Sequence, residues 1–227
     1  MSYDHVRDRT SAAVGTEEDS GVLFDETIAA YSQRRKRAAE FLSEALVDSH
    51  RKAFKAYLHR PQWSTIADDA AAAEGDLVVT AELDEPLRIL KRDLGFLHRA
   101  LGTAVFRRVW REALERLNNT LWSDVLMSHK FTASGAAQFA RDVHAVAALV
   151  ERFIPDGSSA LGSLSDALRL LNLPLESQEG GMTLKRATDM VFTDNAEAKK
   201  VLDEMEIDSL TPANARQILQ RRVENAE

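Results

Sequence analysis

Phe131-Thr-Ala-Ser-Gly-Ala-Ala-Gln-Phe-Ala-Arg-Asp142 is the stretch that decides how this chain folds. Thr132 and Ser134 have side chains suited to a helix N-terminus, because a hydroxyl there accepts from an N–H group that the first turn leaves unpaired. A helical apolar pattern starts directly after them, with Phe139, Val143, Val146, Val150 and Phe153 on one face. Gly135, Ala136 and Ala137 are all small, so another backbone can come close to this helix start. The spacing therefore predicts a helix beginning near Ser134, with Gly135 and Ala136 buried at a helix–helix contact. Pro155-Asp156-Gly157 ends it.

The same pattern extends in both directions. Upstream, Asp84-Glu85-Pro86 combines a cap, an early acid and an early proline, which marks a helix start. Leu87, Leu90, Leu94, Leu97, Leu101 and Ala104 follow at alternating spacings of three and four, a seam suited to another helix. The seam then rotates to Phe106, Val109, Ala113, Leu117, Leu121 and Val125, so one long helix is expected, kinked near Gly102. Downstream, Leu161, Leu164, Leu168 and Leu171 predict a helix that stops at Pro174. Two short helices are expected around 182–193 and 195–206. Leu210, Thr211 and Pro212 open a last one that turns Ala215, Ile218, Leu219 and Val223 inward. Nearer the N-terminus, a helix from about Leu23 to His59 is ended by Pro61.

These elements divide the sequence into a disordered tail at 1–20, a long basic helix at 21–60, an acidic loop at 61–85 and a helical bundle at 86–227. Period-two alternation is no longer than Asp76–Glu82, and there is no tight hairpin signal. Composition agrees. Hydrophobic residues are 44 % of the 227, enough for a sizeable core, while Gly and Pro number only 10 and 5. The fold class is all-α, with each helix turning one apolar face to its neighbours.

Chemistry is notable for what is missing. The chain has no cysteine, which removes disulfides and thiolate metal sites. The histidines at 5, 50, 59, 98, 129 and 144 include no i, i+4 pair and no Glu-x-x-His. Gly157-Ser-Ser-Ala-Leu-Gly162-Ser163 outlines a phosphate loop, but Ser163 stands where the lysine is needed and no strand precedes it. Acidic pairs such as Asp68-Asp69 sit in hydrophilic surroundings and read as solvated. No catalytic constellation emerges, so the chain is expected to be a non-enzyme with no cofactor, metal or small-molecule substrate. A net charge of −7 argues against nucleic acid as a partner. No run approaches eighteen apolar residues and the N-terminus has no apolar h-region, so membrane contact is expected to be indirect or peripheral.

Arg34, Arg35, Lys36 and Arg37 are followed by Arg51, Lys52, Lys55 and Arg60. Such residues can attract anionic headgroups, but four in a row point around a whole helix, and a solvated face is the plainer reading. Trp63 follows Pro61 in a loop, either as an exposed anchor or folded back onto a helix.

The order Phe131, Gly135-Ala136, Gln138 and Asp142 resembles the motif near the C-terminus of the RINT/TIP family of vesicle-tethering proteins. Leu121-Trp-Ser-Asp-Val125 before it and Ala167-Leu-Arg-Leu-Leu-Asn-Leu173 after it fall in that family's order. The resemblance covers roughly residues 85–225, while Asp68–Asp76 and the acidic start depart from it. It implies a helical rod resembling the C-terminal leg of a Dsl-type tether at the endoplasmic reticulum. Such a tether acts in Golgi-to-ER retrograde transport, with ER SNAREs and other tether subunits as partners and a peripheral place at that membrane. Family chains are several times longer, so a fragment, a truncated gene model or a reduced homologue is expected. Phe131, Gly135, Ala136, Gln138 and Asp142 are expected to be structural. Leu170, Leu173 and Met182 lie off the main stripe or beside a loop, and are the candidates for partner binding, although core filling is the plainer fate for such residues. A generic helical adaptor outside membrane traffic is the alternative.

Overall fold

The computed structural model of the chain describes residues 20–60, 62–65, 78–176 and 180–225. The tail expected at 1–20 falls outside them as far as residue 19, and so does most of the acidic stretch, 66–77. Eight α-helices run through the described residues: α1 Ser20–Leu58, α2 Asp84–Ala100, α3 Thr103–Leu121, α4 Ala133–Glu151, α5 Gly162–Leu171, α6 Leu184–Thr193, α7 Asn195–Glu204 and α8 Pro212–Leu219. Short 3₁₀ turns lie at Gln62–Ser64, Ala81–Leu83, Gly157–Leu161 and Val223–Asn225. Among the described residues there is no strand, only an isolated parallel bridge between Phe131 and Arg222. The fold is all-α, as the sequence predicts.

Helix starts follow their capping chemistry. Thr132 caps α4 by accepting from the Gly135 N–H at 3.1 Å. Thr183 and Asp194 do the same for α6 and α7. At α8, Thr211 and Asn214 bond each other's backbone N–H reciprocally, with Pro212 at the first helical position.

One element differs from the sequence prediction. The expected kink near Gly102 is a complete break. Leu101 (φ −114°, ψ 148°) and Gly102 (φ −65°, ψ 148°) are both extended and separate α2 from α3. Each helix can then turn its own apolar face inward, so a single seam need not wind around one axis. After α3 the backbone widens into a π-helical turn at Trp122–Leu126, which keeps Val125 and Leu126 buried.

The described residues divide into two compact units, one ending at Ala45 and the other beginning at Leu46. In the first, Arg34, Arg35, Lys36 and Arg37 are all exposed, and so are Tyr31 and Phe41. In the second, α4 touches α2, α5 and the turns at 62–64 and 157–161, while α6 and α7 pair and α8 packs on α5, α6 and α7. The predicted apolar faces supply the core: Leu90, Leu94 and Leu97 from α2, Phe106 through Leu121 from α3, and Leu164, Leu168 and Leu171 from α5. His50 is an interior residue, with its ring centroid 5.4 Å from that of Trp110. Neither of its nitrogens has a hydrogen-bond partner among the described residues. Burial pushes its imidazole down to about 4, against the opposing pull of Asp93.

Candidate docking site

The motif residues of α4 form an interior junction. An added Cβ at Gly135 would lie 1.9 Å from the carbonyl oxygen of Trp63, so only glycine fits there. The same carbonyl accepts from Thr132 N at 3.3 Å. The neighbour that the small residues admit is thus the 62–64 turn rather than a helix, which corrects the helix–helix expectation. Trp63 is fully buried. Its ring packs against Tyr57, Phe131 and Phe139 at centroid distances of 5.4–5.8 Å, with the Arg60 guanidinium 5.2 Å from the indole. It is a core residue and not an exposed anchor.

Asp142 lies one helical turn beyond Gln138 on α4 and is buried. Its carboxylate accepts from Thr80 N at 2.9 Å, Thr80 Oγ1 at 2.5 Å, Tyr57 Oη at 3.1 Å and Gln138 Nε2 at 3.0 Å. Gln138 Nε2 also donates to Val78 O at 2.9 Å. Together Gln138 and Asp142 fasten residues 78–80 to α4. Burial first, and then the adjacent carboxylate, raise the Tyr57 phenol well above its usual value near 10, so it remains a donor. Four donors on one buried carboxylate are what make a charge tolerable there.

Phe131 holds the other side of the junction. Its N–H donates to Arg221 O at 2.8 Å and its carbonyl accepts from Val223 N at 3.0 Å. Between those residues the buried Arg222 donates to Leu171 O and Leu173 O and grips Glu224 with two bonds of 2.9 Å. Glu224 in turn accepts from Ala133 N at the start of α4. Burial alone would raise the Glu224 carboxyl, but its bonds to Arg222 outweigh that and hold it below the usual range. Gly135, Gln138 and Asp142 therefore set Trp63, Tyr57 and residues 78–80 against α4, Phe131 holds Arg221 and Val223, and Ala136 is fully buried beside them.

The residues expected to bind a partner are placed differently. Leu170 is fully buried and Leu173 nearly so, at 5 % exposure, while Met182 is half-buried. Leu170 and Leu173 fill the core instead of forming an exposed patch, because α5 is covered by α8 as well as by α4. Sequence reasoning also missed Tyr57, Thr80, Arg222 and Glu224, which complete the two polar networks.

The surface feature beside this junction is an open groove of about 740 Å³ between α4, α5 and the 157–161 turn. Ala137, Ala140, Ala147 and Ala148 line it along α4, and Leu161, Gly162 and Leu168 on the opposite side. Arg141, His144 and Arg169 also reach it, as do Glu151 and Asp156. Among the described residues no cluster of His, Asp and Glu is placed to hold a metal ion. No described helix is long and apolar enough to cross a membrane.

The family model described as "RINT-1/TIP-1 family" matches residues 2–222. This chain belongs to the RINT-1/TIP-1 family. The motif junction therefore lies inside a family match that spans nearly the whole sequence. A search of curated proteins gives no match. Among solved structures the chain is similar to the Dsl1 complex subunit Tip20, in a crystal structure with the SNARE Sec20 bound. The TM-score is 0.72 at 15 % identity, which is a likeness of fold. The match covers 96 % of this chain and 37 % of that one, so this RINT-1/TIP-1 sequence spans little more than a third of the relative's length.

Proposed function

We propose that this chain is a SNARE-docking part of a non-enzymatic vesicle tether, acting at the endoplasmic reticulum in Golgi-to-ER retrograde transport. The observation that carries this reading is the likeness to Tip20 along 96 % of the chain, in a structure whose partner is a SNARE. Membership of the RINT-1/TIP-1 family supports it.

Work of this kind needs a stiff body with helical surfaces and no reacting groups. The buried networks of Asp142 and Arg222 supply stiffness, since each joins segments distant in sequence through several bonds. Partners are ER SNAREs and other tether subunits, held by helix packing. Contact with the membrane is peripheral and passes through those partners.

Affinity purification of the tagged chain from detergent-solubilised cells tests the proposal. Recovery of an ER SNARE together with tether subunits is the expected result. Recovery of neither, with partners from outside membrane traffic instead, would contradict it and favour a generic helical adaptor.

A further inference from the structure

The groove between α4 and α5 carries charge in a fixed order, and that order describes an occupant. We infer that it receives one amphipathic partner helix running parallel to α4, with acidic side chains toward its N-terminal end and basic ones toward its C-terminal end. This rests on the tethering reading above and assigns the place on this chain where the partner helix sits.

Topology sets the charge order. At one end, Ser158 bonds Glu151, so the start of α5 lies by the end of α4. At the other, Arg222 joins Leu171 O to Glu224, which holds Ala133 N, so the end of α5 lies by the start of α4. The two helices are therefore antiparallel. Arg141 and Arg169 belong to the half of the groove nearer the start of α4, and Glu151 and Asp156 to the opposite end. The Asp156 carbonyl accepts from Ser159 N, while the side chains of Arg141 and Asp156 have no hydrogen-bond or ionic partner among the described residues.

Shape sets the kind of occupant. From Ala137 to Glu151 the groove follows α4 for about 21 Å, or four helical turns. Its lining positions Ala137, Ala140, His144, Ala148 and Glu151 recur at spacings of three and four, so they share one side of α4, and the alanines among them let a second helix approach closely. A Cβ built at Gly162 meets nothing within 4 Å, so the opposite wall is open as well. Val143, Leu161 and Leu168 give the floor its apolar character. A helix seated there must place an acid near Arg141 and a base near Glu151, ten residues apart. Helices ordinarily carry acids in their first turn and bases in their last. Such a helix matches this groove only with its N-terminus at the Arg141 end.

The test uses the full chain and, as probe, the purified cytosolic region of a Sec20-type SNARE, with affinity measured by titration calorimetry. Arg141→Glu reverses the charge at one end. Gly162→Leu fills the other end at a position where an added Cβ meets nothing within 4 Å. Each is expected to weaken binding at least tenfold while leaving the melting temperature within a few degrees of the parent. Arg108→Glu, on an exposed face of α3 outside the groove, is expected to bind as the parent does. Because the chain has no cysteine, Ala137→Cys gives a unique spin-label site. That label should broaden resonances of the N-terminal end of the bound helix. Parent-like affinity of both groove variants would overturn the groove assignment and leave the tethering reading intact. Broadening at the C-terminal end would overturn the direction. A parent chain that binds no SNARE would remove the tethering reading and this inference together.

Discussion

Gly135 and Gly162 are both helical glycines, and their surroundings are opposite. At Gly135 a single added carbon collides with the Trp63 carbonyl, and backbone on both sides would have to move. Gly135→Ala should therefore cost about 3 kcal/mol, or roughly 6–12 °C in melting temperature. Gly162→Ala has open space and gains helix propensity, so it should be neutral or raise stability by up to about 0.5–1 kcal/mol. Paired thermal melts check this; equal effects would mean that α4 does not rest on the Trp63 turn. Asp142 shows how far a single residue can be read. Its place one turn after Gln138 on a helix is legible in the sequence. That it collects donors from Tyr57 and Thr80 is not, because those bonds span 85 and 62 residues.

At the scale of elements, period and capping residues locate the helices well. Starts at Ala133 and Pro212 follow from hydroxyl caps and proline, that at Asp84 lies two residues before Pro86 and has Leu83 with no side-chain bond in place of the expected Asp cap, and the buried faces of α3, α4 and α5 match their apolar spacing. The break at Leu101–Gly102 is less legible, since a glycine within a leucine seam is equally compatible with a bend. Leu170 and Leu173 take the core-filling place that the sequence leaves open beside an exposed patch: an amphipathic count assigns one face of a helix to the core, whereas α5 is enclosed on more than one side. Arg222 looks like any surface cation in Gln220-Arg-Arg-Val-Glu224, and only tertiary structure makes it a buried clamp.

Histidine on α1 gives this scale its own test. The His50 imidazole is held neutral, with its folded value near 4 below the unfolded value near 6.5. Between those values the unfolded chain binds the extra proton, so stability rises with pH there and falls on acidification. The contribution is complete above about pH 6.5 and is lost progressively toward pH 4, by on the order of 2–3 kcal/mol. His50→Phe keeps a ring against Trp110 without a titrating group. Denaturant unfolding from pH 7 to 4 should show a shallower loss for this variant than for the parent. Parallel curves would mean that the ring is solvated in the folded state.

For the whole molecule, α4 serves two purposes with two faces. One binds the turns at 62–64 and 78–80 and the C-terminal segment into a rigid junction, through the residues that first signalled the family. The other lines a groove open to solvent, which the sequence shows only as alanines between charged residues. Family motif and the groove proposed to receive a partner are thus different parts of the same helix. The most direct measurement of this account is calorimetric titration of the purified parent chain with the cytosolic region of a Sec20-type SNARE. A saturable one-to-one complex in the micromolar range or tighter, weakening as salt is raised, is the predicted result. Absence of measurable heat together with separate elution of the two proteins in size-exclusion chromatography would contradict it.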